Sequence, residues 1–185
     1  MSAPVDIEVV SFAARPAHRW RGGDTWLEEQ VVPSSRRILG ECHAAVYRFG
    51  GDVEVAAREA AHATILRALA DAGAEACDGA DLRAGRLAWE AFLRGESGRP
   101  GLVYALFEGP YHTSLDGHRH EVAVAWLAGL FDATLSPDEL ELREWTTDGY
   151  DPWFRWGREW WGTFLWTAAW AERGLLVGIT ASSTD

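Results

Sequence analysis

The chain has 185 residues, 48% of them apolar, which is enough for one full hydrophobic core and short for two. Its formal charge of -11 is uneven, net −3 over residues 1–100 and net −8 over residues 101–185, and with no basic run in sight this excludes nucleic acid as a natural partner and points to a basic one. All seventeen basic residues are arginine, so a P-loop lysine, a Schiff-base lysine and a lysine general base are excluded too.

Asp6 and Glu8 stand where a signal peptide would have a basic start and an unbroken apolar stretch, and no apolar run reaches the ~18 residues of a membrane span. A cytoplasmic protein with no membrane partner is expected. Val5 to Phe12 reads as a first strand, and Asp24 as the cap of a short helix that Pro33 interrupts. Glu41 to Phe49 reads as a second strand. The clearest helix begins at Asp52, a good N-cap, and carries apolar residues at spacings of three and four from Val53 to Leu69 before Gly73. A further helix is predicted from Asp81 through Leu87, Trp89 and Phe92 to Gly95.

Glu96 to Gly101 is the densest turn cluster and reads as the seam between a helical N-terminal portion, ending near 95, and a sheet-rich portion from about 101. Beyond it Leu102–Phe107 is apolar enough for a buried strand. Asp116-Gly117 signals a hairpin with arms 111–115 and 118–126. Glu139 to Trp145 suits another strand. From Gly162 to Ala171 the side chains alternate, with Phe164, Trp166, Ala168 and Trp170 on one side, and after Glu172-Arg173-Gly174 a β-rich stretch runs from Leu175 to Thr180. The expected architecture is a single α+β domain: an antiparallel sheet with two or three helices packed on one face, ending in a C-terminal β-hairpin.

Two sites follow from the chemistry-bearing residues. His112, His118 and His120 crowd both arms of the proposed hairpin; on a strand His118 and His120 would share a face, and three imidazoles could hold zinc, with Glu121 as a base for a metal-dependent hydrolase. No HExxH motif supports that reading, and solvated histidines beside a turn are the plainer alternative. The second site is acidic and aromatic. Glu141, Glu144, Asp148 and Asp151 abut Trp145, Trp153 and Trp156, a combination that can steer and anchor a basic protein, while an ordinary acidic loop beside core tryptophans remains the alternative. Glu108, Glu121, Asp151 and Glu159 lie near aromatics as glycosidase carboxylates do, but the required pair separation is not readable from sequence. Cys42 and His43, adjacent on a strand, face opposite ways and make no thiolate–imidazole pair; with Cys77 they are too few for a disulfide framework.

Trp160-Trp161-Gly162-Thr163-Phe164, Trp166-Thr167, Val177 and the closing Ala181-Ser182-Ser183-Thr184-Asp185 resemble the C-terminal end of small bacterial proteins, some of them similar to immunity proteins of contact-dependent or polymorphic toxin systems. The resemblance covers about the last thirty residues and supplies no catalytic residues. It implies a non-enzymatic cytoplasmic protein, without a cofactor, that binds and masks a basic toxin domain. An edge strand of such a sheet could also support a homodimer.

Overall fold

The computed structural model describes residues 7–16, 41–71, 82–107, 119–155, 157–160 and 162–182. In chain order these form strands β1 (Ile7–Pro16) and β2 (Glu41–Phe49), helix α1 (Val53–Asp71), strand β3 (Ala84–Leu87), helix α2 (Trp89–Arg94) and the short strands β4 (Gly95–Glu96) and β5 (Arg99–Pro100). Helices α3 (Leu102–Phe107) and α4 (Arg119–Phe131), strand β6 (Glu141–Trp145), the single turns α5 (Asp151–Phe154) and α6 (Gly157–Trp160), and strands β7 (Thr163–Trp170) and β8 (Leu175–Ser182) follow. Six strands make one antiparallel sheet in the order β1-β2-β8-β7-β6-β3, and β4 with β5 makes a separate ribbon.

The α+β class, the antiparallel sheet and the C-terminal hairpin are those expected from the sequence. β7 and β8 pair from Thr163↔Ser182 to Trp170↔Leu175, and Gly174 closes the turn in the left-handed conformation at φ 59. The helices, however, cover both faces of the sheet. Cys42, Ala44, Val46, Phe164, Trp166, Ala168, Trp170, Val177 and Ile179 pack under α2, α3 and α4. The intervening residues Ala45, Tyr47, Leu165, Ala169 and Leu176 pack under α1 and α5. A strand covered on both sides has no solvent face, which is why β7 and β8 read as nearly continuous apolar runs.

Helix α1 starts where Asp52 Oδ1 accepts the main-chain N–H groups of Glu54 (2.8 Å) and Val55 (3.1 Å). Its sheet-facing side is mostly alanine, with Ala56, Ala57, Ala60, Ala61 and Ala68 fully buried, so the helix lies close to the strands. Under it sit buried hydrogen bonds between aromatic side chains and threonines. Thr64 Oγ1 donates to the Ala60 carbonyl (2.7 Å) and so accepts from the Tyr47 hydroxyl (2.8 Å). Trp145 Nε1 donates to Thr167 (2.9 Å) and Trp153 Nε1 to Thr180 (3.0 Å). Each such bond removes the cost of a buried polar atom left without a partner, about 1–3 kcal/mol.

Four expectations about elements are corrected. Residues 81–95 are not one helix: β3 pairs with β6 from Ala84↔Trp145 to Leu87↔Leu142, and Ala88, extended at φ -74 and ψ 153, separates it from α2. Residues 102–107 are helical, with Leu102, Ala105 and Leu106 forming the buried i, i+3, i+4 side, a distinction that an unbroken apolar run conceals. Residues 119–131 are helical rather than a hairpin arm; the buried set Ala123, Trp126, Leu127 and Phe131 has helical spacing. The 111–115 arm, the Asp116-Gly117 turn and the Asp24 cap lie outside the described residues. Lastly, Glu96–Gly101 does turn the chain, but β1, β2 and β3 precede it and share one sheet with β6, β7 and β8, so it does not divide a helical half from a sheet half.

Candidate docking cleft

At the β3 side of the sheet, the ribbon β4–β5 faces the end of β6 and the start of β7 across a cleft of about 460 Å³. The ribbon is fixed by its backbone: Gly95 has φ +84, and a Cβ there would lie 2.1 Å from the Arg99 carbonyl oxygen. It presents Arg99, whose Nη1 lies 3.4 Å from Glu144 Oε2; the Arg99 side chain is 81% exposed and that of Glu144 29%. Glu144 stands beside Trp166, its partner in the β6–β7 register, and Trp166 is only 1% exposed. A second cleft of about 380 Å³, lined by Leu87, Ala91 and Trp166, shares Arg99, Pro100 and Glu144 with the first.

Three threonines border the larger cleft. The main-chain N–H of Thr146 donates to the Arg83 carbonyl (2.9 Å), and Thr146 Oγ1 accepts from the Arg83 main-chain N–H (3.2 Å), which extends the β3–β6 ladder by one residue. Thr147 and Thr163 hydroxyls share a 3.0 Å hydrogen bond. Arg158 then ties down the loop that follows. Its Nη1 donates to Asp151 Oδ1 (2.6 Å), its Nη2 to the Thr147 carbonyl (2.6 Å), and Asp148 lies 3.8 Å away. The loop is therefore set before any partner arrives.

The residues singled out in the sequence divide between cleft and core. Glu144, Trp145 and Asp148 line the cleft, and Asp151 joins it through Arg158. Glu141 belongs elsewhere, because strand alternation puts it with Arg143, which is buried and also lies 3.5 Å from Glu54 of α1; Arg86 is 3.6 Å from Glu141. Trp145 and Trp153 are not surface anchors. They are 3% and 7% exposed, both indole N–H groups are spent on buried threonines, and the Trp153 ring meets His43 edge-on at 4.9 Å, because these apolar rings fill the layer between the sheet and the α1 side. Trp156 lies outside the described residues.

His112 and His118 also lie outside the described residues; His120 is half-buried on α4, where the strand alternation that would align it with His118 does not apply. Among the described residues no group of three or more His, Cys, Asp and Glu side chains is placed to hold a metal ion. Nor, among them, is any helix long and apolar enough to cross a membrane. Cys42 and His43 do fall on opposite faces of β2, in the two separate cores. No local pattern marks Arg99 as a cleft residue or Arg143 as a buried one. Only the turn cluster around Ser97-Gly98 marked the ribbon, and only the Thr146-Thr147 pair hinted at hydroxyls beside the acids. The chain matches no protein-family model, no curated protein and no solved structure, so the reading of the cleft rests on its geometry.

Burial pushes the Cys42 thiol up to about 12 from an ordinary 9.0 and raises the Tyr47 hydroxyl as well. Cys42 in the native protein should therefore resist iodoacetamide at neutral pH and react only on unfolding, as read by mass spectrometry of its peptide. Both groups hold their proton longer folded than unfolded, so the sign of the linkage is fixed: stability is intact below about pH 9 and declines as pH rises toward 12. Urea midpoints across that window should show the decline, and Cys42→Ala should reduce its slope while leaving the contribution of Tyr47.

Proposed function

We propose that the protein is a non-enzymatic binding module of the immunity type, which holds a basic partner domain against the cleft beside Glu144 and Asp148 in the bacterial cytoplasm. The observation that carries this reading is the preset cleft: a half-buried carboxylate and an exposed one open on the same space, bordered by three threonine hydroxyls, in the half of the chain that carries net −8. Asp138 and Glu139, exposed in the turn before β6, and exposed Asp151 extend the same sign of charge. Such a field raises the rate of encounter with a cation-rich surface and rejects an anionic one. Arg83 and Arg99 in the cleft lining and Arg158 beside it temper that field, and a partner's own cations compete with Arg99 and Arg158 for the same carboxylates.

The test is titration of an arginine-rich peptide by calorimetry at low and high salt. Binding should weaken as salt rises, and the double variant Glu144→Arg/Asp148→Arg should weaken it roughly tenfold or more with an unchanged circular dichroism spectrum. Binding indifferent to both salt and charge reversal would overturn the reading.

A further inference from the structure

We infer that the open side of β3 takes an extended segment of the partner as one further antiparallel strand, so that alternate side chains of that segment fall into the two clefts. The inference rests on the reading of the cleft as the docking site and adds the form in which the partner is held. β3 ends the sheet, with β6 as its one neighbour strand among the described residues. Its main chain alternates in direction. Arg83 faces β6, because its carbonyl accepts the Thr146 N–H (2.9 Å) and its N–H donates to Thr146 Oγ1 (3.2 Å), and Gly85 and Leu87 follow with the same parity. The N–H and C=O groups of Ala84 and Arg86 therefore point away from the sheet, and among the described residues no strand pairs with them.

The clefts have the matching order. Arg83, Gly85 and Leu87 share one face; the first two line the cleft of about 460 Å³, and Leu87 lines that of about 380 Å³. The clefts thus succeed one another along the edge at the two-residue step with which a strand presents side chains to one face. In such an arrangement main-chain pairing supplies affinity and the hollows supply selection. An apolar side chain fits beside Leu87, Ala91 and Pro100, all half-buried, and a polar one fits over Gly85, next to Glu144. The approach is open: a Cβ at Gly85 would have nothing within 4 Å, and Arg86 lies on the other face, 3.6 Å from Glu141. Two copies of a chain with net charge -11 repel each other, whereas a basic segment is drawn to it, so the added strand is assigned to the partner and not to a second copy.

The probe is the blocked pentapeptide Arg-Val-Ser-Thr-Arg, added to the ¹⁵N-labelled protein. Amide hydrogen exchange should slow at Ala84 and Arg86 and stay unaltered at Gly85 and Leu87, whose N–H groups are already given to β6. With Val and Thr over the clefts, the N–H groups of Ser and of the last Arg point at β3. N-methylation of those two should weaken binding by about tenfold or more, since two main-chain hydrogen bonds are lost, while N-methylation of Val and Thr should leave it within about twofold. Ala84→Pro removes an outward N–H and no bond of the β3–β6 ladder, so it should weaken binding by about fivefold with an unchanged circular dichroism spectrum. Equal losses for the two N-methylated peptides, or unaltered exchange at Ala84 and Arg86 with the peptide bound, would overturn the inference. So would slow exchange of those two amides in the free chain, the mark of an edge already covered by the chain itself, or slowing that follows protein concentration, the mark of a second copy. If the arginine-rich peptide binds in a salt-dependent and Asp148-dependent manner while residues 84 and 86 do not respond, the docking surface stands and the added strand falls. If neither peptide binds, both fall.

Discussion

Trp166→Ala is expected to lower the stability of the domain by about 3–5 kcal/mol, a large part of the roughly 5–15 kcal/mol that holds a domain of this kind together. Trp166 is the largest of the fully buried side chains described. Its ring stacks on Phe164 with centroids 5.0 Å apart and meets Phe92 edge-on at 5.8 Å, joining β7 to α2. Removing the indole leaves a hole between two layers that are each pinned elsewhere, β7 by pairing with β6 and β8, and α2 by Leu93 in the same core, so the site collapses only partly. Urea unfolding followed by circular dichroism measures the effect. Trp166→Phe, which keeps a ring in place, should cost less than half as much. A loss below about 1 kcal/mol for the alanine variant would mean that the rings do not bear the packing assigned to them.

The second large effect comes from the opposite face, where addition rather than removal is costly. A Cβ at Gly178 would lie 2.1 Å from Thr64 Oγ1 and 3.2 Å from the Ala60 carbonyl oxygen. Thr64 cannot easily turn away, because its hydroxyl is held between that carbonyl and Tyr47, and a β-branched side chain in a helix has few rotamers. Gly178→Ala should therefore push α1 off β8 and cost about 1–3 kcal/mol, and Gly178→Val more. Thr64→Ala removes the obstructing oxygen and with it the buried Tyr47–Thr64 hydrogen bond, so it is destabilising alone; in the double variant the penalty of Gly178→Ala should shrink by about 1 kcal/mol or more. Penalties that simply add would show that helix and strand are not in the contact described.

These two positions also show what the sequence disclosed and what it withheld. The period of two from Phe164 to Trp170 placed Trp166 on its strand and on its face, because a strand flanked by turn residues has few other ways to distribute four large side chains. Asp52 marked the start of α1 by capping chemistry that is local to four residues. Gly178 gave no such signal, since the reason for it is a helix more than a hundred residues earlier in the chain. The same holds for β3: Ala84-Gly85-Arg86-Leu87 has little intrinsic strand preference and is extended because β6 lies beside it. Helices α3 and α4 differ from the strands expected there for another reason, namely that short apolar runs look alike in strands and helices until their neighbours are known.

The candidate cleft was half legible. Glu144 and Asp148 were marked by a local excess of acid, and they do line one space. The tryptophans named with them were marked by the same crowding, yet burial claimed Trp145 and Trp153, as it usually does when large rings alternate with small apolar residues. Arg83, the residue before β3, and Arg99 of β5 reach the cleft through pairing with the β6 end and a ribbon turn that no local pattern announces.

Hydrogen–deuterium exchange on the full chain, with and without a bound arginine-rich peptide, tests the docking assignment most directly. The account predicts added protection in residues 95–101 and 144–149, with α1 and α4 unaltered. Protection confined to α1 or α4, with both cleft segments exchanging as in the free protein while the peptide is bound, would contradict it.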